Sequence, residues 1–199
     1  MSGTFPSSPA LASMKITSLT PTLVSTAHSL KRQVRSRGGQ RWLIEGAYPV
    51  MTRSEFAPIY AFSVAQRGQY ETFTFVLPGL DTPQGGIPGT PLVDGADQTG
   101  RSIDTKGWTA DQSNVLKAGD FIKFAGHNKV YMVTADAGSD ASGLSTLTIE
   151  PALVSSPADE AALTVDDIPF TVAFAQDVVE TSIRPALLFS YEVSFVEVP

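Results

Sequence analysis

Several groups of residues in this chain have types and spacing that invite a chemical reading. Residues 95–102, running from Gly95 to Gly100, Arg101 and Ser102, approach the spacing of a phosphate-binding loop. Such a loop needs a lysine to reach the terminal phosphates, and Arg101 stands in its place. The run also precedes a strand-like segment instead of opening a helix, so no nucleotide site is expected. Asp136, Ser139, Asp140 and Ser142 share a Gly-containing loop and offer oxygens to a hard cation. They lack the alternating carboxylates and closing Glu of a calcium loop, which favours a polar hairpin turn. His28 and His127 are the only histidines, and neither has a partner at metal-ligand spacing. The adjacent carboxylates Asp159-Glu160 and Asp166-Asp167 would point to opposite faces of a strand, which unfits them as acid–base pairs. Cysteine is absent, and with it thiolate nucleophiles, disulfides and cysteine metal sites. Neither an enzyme nor a cofactor or metal requirement is expected.

The elements that would position any site follow from composition and pattern. With 199 residues, 42% hydrophobic and 17% charged, the chain is long enough for one medium domain or two small ones and is too apolar for a disordered tail. It has no apolar run near the roughly 18 residues of a spanning helix. No basic and then apolar leader opens it, so neither membrane insertion nor a secretory signal is expected. The net charge of −6 hides a split: residues 1–79 carry eight basic and three acidic side chains, and residues 80–199 carry six and seventeen. The basic half is concentrated in Lys31, Arg32, Arg35, Arg37 and Arg41. Opposed patches on one chain suit intramolecular contact, an anionic partner, or head-to-tail packing of identical subunits.

Abundant Thr, Ser, Val, Gly and Pro predict short strands joined by turns. Residues 1–13 have no apolar period and read as a flexible arm. Residues 14–24 read as one or two strands, 28–37 as an exposed edge strand, and 40–48 as an alternating strand. Thr52-Arg-Ser-Glu55 has the form of a capping box, opening a helix whose apolar face includes Phe56, Ile59, Tyr60, Phe62 and Val64 and which Gly68 ends. Residues 70–77 make a further strand. The Pro- and Gly-rich run 81–91 reads as a boundary. Beyond it, residues 91–93, 101–105, 120–124, 129–134 and 144–149 make five short strands, the number in a small Greek-key barrel of the OB type. Residues 170–174 and 187–196 close the chain as strands.

Two blocks carry a family resemblance. Gly38-Gly-Gln-Arg-Trp42, Tyr48-Pro49, Met51-Thr-Arg53, Glu55-Phe-Ala-Pro58 and Arg67-Gly-Gln-Tyr-Glu-Thr-Phe73 resemble the N-terminal region of the distal tail proteins of long-tailed, non-contractile phages. Residues 117–131, Lys-Ala-Gly-Asp-Phe-Ile-Lys-Phe-Ala-Gly-His-Asn-Lys-Val-Tyr, resemble the domain inserted in one branch of that family. The likeness spans about residues 30–195, with 80–116 departing from the family's pattern.

The resemblance implies a mainly β protein: a β-sandwich ring domain with one short helix, interrupted by an inserted small OB-fold-like β-barrel. Residues 14–79 and 167–199 would form the ring domain and 80–166 the insert. It further implies a homohexameric ring at the distal end of the tail tube. That ring would join the tube protein to the baseplate hub or tail-tip protein and the receptor-binding parts, with DNA only in transit through its channel. The protein would be assembled in the host cytoplasm and end in the virion. Charge makes Arg32, Arg35 and Arg37, facing Glu180 and Glu192 of a neighbour, the candidate subunit interface, because a cationic lumen would hold back DNA phosphates. The alternative is a carbohydrate-binding module recognising host surface glycans through the OB-like domain. Its stacking candidate is Trp108, in a polar Gly-containing stretch, whereas Phe121 and Tyr131 read as core.

Overall fold

Alternation decides the central strand. From Arg41 to Ala47, Trp42, Ile44 and Gly46 face inward and the residues between them are half-buried or exposed. The computed structural model describes residues 2–86, 89–185 and 187–199, with the Arg184 side chain excepted. Its elements in chain order begin with β1 (Ser13–Leu19), β2 (Thr22–Thr26), β3 (Arg32–Ser36), β4 (Arg41–Ala47), α1 (Arg53–Ala65) and β5 (Phe73–Val76). Next come β6 (Gly89–Val93), β7 (Ser102–Trp108), β8 (Phe121–Phe124), β9 (Val130–Val133), β10 (Ser145–Glu150) and β11 (Leu163–Thr164). The chain ends with β12 (Pro169–Phe174), β13 (Ser182–Arg184), β14 (Leu188–Ser190) and β15 (Glu192–Glu197). The protein is mainly β with one short helix, and its contacts divide it into two units. One comprises the chain up to Thr74 with Val172–Val198, the other Phe75–Thr171.

The first unit is built on a five-stranded sheet ordered β1-β4-β15-β12-β5. β4 lies between β1 and β15, both antiparallel to it, with Ile16 opposite Ile44 and Phe195 opposite Ile44 from the other side. The inward face of β15 carries Val193 and Phe195, and Phe195 is fully buried. Around Phe195 stand Phe5 at 4.9 Å, Phe73 at 5.2 Å and Phe174 at 5.3 Å between ring centroids, and Phe62 of α1 meets Phe73 edge-on at 5.4 Å. These edge-to-face contacts add to the burial of four large rings and half-buried Phe62.

Phe5 corrects the expectation of a flexible arm. It is 4% exposed, Thr4 forms a parallel bridge with Thr74, and the Phe5 amide donates to the Thr74 carbonyl at 2.9 Å. One aromatic anchor in an otherwise small and uncharged segment offsets the ordering of the chain around it, which segment-averaged composition does not reveal.

The helix begins where the capping box predicts. The Glu55 carboxylate accepts from the Thr52 amide at 2.9 Å and from the Thr52 hydroxyl at 2.8 Å. Those donors, backbone first, hold the Glu55 pKa below its ordinary value. A depressed folded-state pKa means the contribution is present above the ordinary carboxylate range and lost as pH falls through the folded value. Glu55→Ala should therefore lower the melting temperature at neutral pH, with the gap to wild type closing in acid. An equal gap at every pH would show that ionisation of Glu55 adds nothing to the box. The buried face holds Phe56, Ile59 and Ser63, while Val64, expected on that face, is half exposed because 100° per residue carries it outward. Gly68 ends the segment at φ +67, where a Cβ would lie 2.8 Å from Asp177 Oδ1. Beyond the helix, β13 and β14 form a hairpin whose Phe189 stacks on Phe56 at 4.6 Å and exchanges two backbone hydrogen bonds with Met51.

The second unit is a six-stranded sheet, β11-β8-β9-β10-β7-β6, that comes close to closing on itself. Leu92 bridges Ala162, and the Val93 amide donates to the Ala161 carbonyl, so the sixth strand brings the two edges together. Five strands were read from the sequence; β11 is only two residues long and has no periodicity to find. The interior is filled by Ile103, Ile122, Phe124, Tyr131, Val133, Leu147 and Ile149, all essentially inaccessible. The Pro- and Gly-rich entry is pinned here. Buried Asp120 accepts from the amides of Gln84 at 2.8 Å, Gly85 at 3.3 Å and Lys117 at 2.8 Å. Gly85 suits that spot because a Cβ would fall 2.5 Å from the Val115 carbonyl oxygen.

Candidate assembly surface

Hairpin β2–β3 owes its shape to local pairing alone. Val24 lies opposite Val34, Leu23 opposite Arg35 and Thr26 opposite Arg32. A tight turn closes it, with the Leu30 amide on the Ala27 carbonyl and the Ala27 amide on the Lys31 carbonyl. At its base the Arg37 amide donates to the Pro21 carbonyl, and Gly38 and Gly39 both take φ +68, a conformation that disfavours larger residues. All ten strand residues of the hairpin are exposed.

The candidate arginines are therefore on the surface, but on two faces. Arg32 shares a face with Val24 and Val34, Arg35 shares the other with Leu23, and Arg37 lies in the neck beside Leu19, Pro21 and Arg41. The edge strand expected for 28–37 is realised as half of this separate two-stranded sheet.

Glu180 and Glu192 are brought together by the fold. After Phe174 the chain leaves β15 and passes through residues 176–181 to β13, opening a groove of about 850 Å³ over the ends of β1, β4 and β15. Glu45, Glu180 and Glu192 line it, with Lys15 bound to Glu45 at 2.9 Å. Among the described residues no cation stands within ion-pair distance of Glu180 or Glu192. Sequence reasoning missed the apolar members of this region, Val178, Ile183 and Leu187, which are each more than 60% exposed. The signal was present as isolated apolar residues among acidic and polar ones, a pattern that does not announce a surface by itself. Next to the groove, Tyr48 and Tyr191 stack at 6.1 Å, and burial, then the proximity of the two phenols, pushes the Tyr48 pKa up.

The other candidates lose their chemistry to internal hydrogen bonds. The Gln98 amide fills the 95–100 loop, donating to the carbonyls of Asp94 and Asp104 and accepting from the Asp104 amide. Asp140 accepts from the amides of Ser142 and Leu144, and Asp136 from Ala118, so both carboxylates serve turns. Among the described residues no group of three acidic or histidine side chains is placed to hold a metal. His127 sits 3.4 Å from the Ser155 hydroxyl, and His28 is exposed near the tip of the hairpin.

Trp108 is 5% exposed, and its indole N–H donates to the Thr105 hydroxyl at 2.9 Å. The expectation of an exposed stacking ring is corrected: strict alternation would set Trp108 opposite Ile103 and Thr105, but Gly107 at φ +85 breaks the alternation in β7 and the ring turns inward. Phe121 and Tyr131 are buried as well, with the Tyr131 hydroxyl accepting from the Val154 amide. On the outside, Lys106 lies 3.4–3.6 Å from Asp94, Asp159 and Glu160. Its partial desolvation opposes the charge, but the three carboxylates outweigh that and raise its pKa.

Residues 82–168, which include all of the barrel's strands, match the family model described as "Distal tail protein pb9, B domain". Comparison with curated proteins finds no match.

Proposed function

We propose, from the match of residues 82–168 to the B domain of a phage distal tail protein, that this chain is a structural component of a phage tail and that six copies form a ring at the distal end of the tail tube. The observation carrying this reading is the family match over residues 82–168. In it, residues 14–79 and 167–199 form the ring domain, and residues 80–166 are an insert presented to neighbouring tail components. The ring joins the tube protein to the baseplate hub and receptor-binding parts and leaves a channel through which DNA passes. It is assembled in the host cytoplasm and functions in the virion.

The physical support lies in the first unit. A closed ring uses heterologous contacts, so each subunit needs two unlike and mutually complementary patches. The unit has a basic hairpin, with Arg32 and Arg35 on its two faces and Arg37 in its neck, and an acidic groove, with Glu180 and Glu192. A binding role for the barrel at host glycans has no comparable support, since its aromatic rings are buried.

Light scattering with negative-stain images of the same fraction tests the reading. Six-fold rings with a central hole are the expected result, and a monomer at every concentration overturns it. Reversing Arg32, Arg35 and Arg37 to Glu should leave a folded chain that no longer assembles, because exposed substitutions of this kind change stability by only about 0.5 kcal/mol. Intact rings from that variant would exclude these arginines from the interface. Salt-dependent binding of duplex DNA by the wild-type ring would instead assign them to the lumen.

A further inference from the structure

Two surfaces of the first unit are unsatisfied in one copy and fit each other in chemistry. The first is hairpin β2–β3. A two-stranded hairpin is marginal in water without a packed face, yet here Leu23, Val24 and Val34 are about half exposed and Leu30 is 84% exposed. Lys31, Arg32, Arg35 and Arg37 surround them with positive charge. The second is the groove beside hairpin β13–β14, lined by exposed Val178 and by Glu180 and Glu192, which supply negative charge, with Ile183 and Leu187 exposed on the hairpin outside it. Each surface combines exposed apolar residues with charge, and on the hairpin both are shared between its two faces. The signs are opposite.

We infer that hairpin β2–β3 of one copy seats on the β13–β14 groove of the next copy. The inference rests on the ring reading and deepens it by naming the two elements that meet. The occupant is a second copy of this chain, argued from charge complementarity. In the single chain both the hairpin strands and the groove margin remain solvent-exposed, so the hairpin does not fill the groove of its own copy. Since the two patches differ, the contact is head-to-tail and propagates around a ring, with every copy giving a hairpin and receiving one. Burying these exposed apolar side chains would supply the attraction, and the charges would set which surface meets which.

A charge exchange between two variants tests this. Arg32→Glu with Arg35→Glu reverses the hairpin, and Glu180→Lys with Glu192→Lys reverses the groove. All four residues are exposed, and circular dichroism and thermal melts of each variant check that the fold is kept. Each variant alone presents like charges at the contact and should remain unassembled under conditions where wild type forms rings. Mixed in equal amounts, the reversed hairpin meets the reversed groove and the native hairpin the native groove, so rings should return with the two variants alternating. Alternation closes only for an even number of copies, and six satisfies that. Rings from either variant alone would overturn this pairing while leaving the ring itself intact. So would failure of two folded variants to co-assemble. Absence of rings from wild-type protein would overturn the ring reading and this pairing together.

Discussion

Phe195→Ala should lower the stability of the first unit by about 3–5 kcal/mol, the range for truncating a large aromatic in a tight core. Phe195 is fully buried and in contact with Phe5, Phe73 and Phe174 at once, so its loss opens a cavity between three rings that come from distant parts of the chain. The N-terminal arm is the part held least by other means, and its docking should weaken first. For a unit of about 100 residues the melting temperature moves by roughly 4–8 °C per kcal/mol, so a fall on the order of 15 °C is expected. The chain has two tryptophans, buried Trp42 in the first unit and buried Trp108 in the second. Fluorescence in a Trp108→Phe background follows the first unit alone. A midpoint within a degree or two of the parent would mean that the aromatic cluster contributes little beyond its neighbours.

Asp120→Ala is expected to be the most damaging single change in the barrel. The carboxylate is buried and accepts three backbone amides, two from the entry segment and one from the turn before β8. Alanine leaves those amides without their acceptor, and hydrogen bonds to a charged group are worth about 1.5–3 kcal/mol each, so a loss of about 3 kcal/mol or more follows. Asp120→Asn is the sharper probe. It keeps one acceptor oxygen but turns an NH₂ toward an amide donor, and so should retain only part of the stability. Trp108 fluorescence in a Trp42→Phe background reports the transition, and hydrogen exchange at Gln84 and Gly85 reports the anchoring itself. Unchanged protection of those two amides in Asp120→Ala would refute the role given to the carboxylate.

Both variants bear on the proposed tail role in different ways. The first weakens the unit that carries both proposed contact surfaces, whereas the second acts in the unit that matches the distal tail B domain. Ring formation should therefore be more sensitive to Phe195→Ala than to Asp120→Ala at a temperature where both are folded.

What the amino-acid sequence determined by itself was local. The β class followed from Thr, Val and turn residues, the helix start from Thr52 and Glu55, and the main strands from alternation over residues such as Trp42, Ile44 and Gly46. These depend on neighbours a few residues apart, and so they survive without knowledge of the fold. The charge split was equally legible, because it is a property of order along the chain. Only the tertiary structure decided that Phe5 is core, that residues 161–162, just before β11, bring the barrel edges together, and that Trp108 faces inward with Thr105 as its partner. It alone drew Glu180 and Glu192 into one groove and set Arg32 and Arg35 on opposite faces of a hairpin. The physical reason is shared: burial and strand pairing are contacts between residues far apart in sequence, and each side chain's exposure depends on what the chain's return places against it.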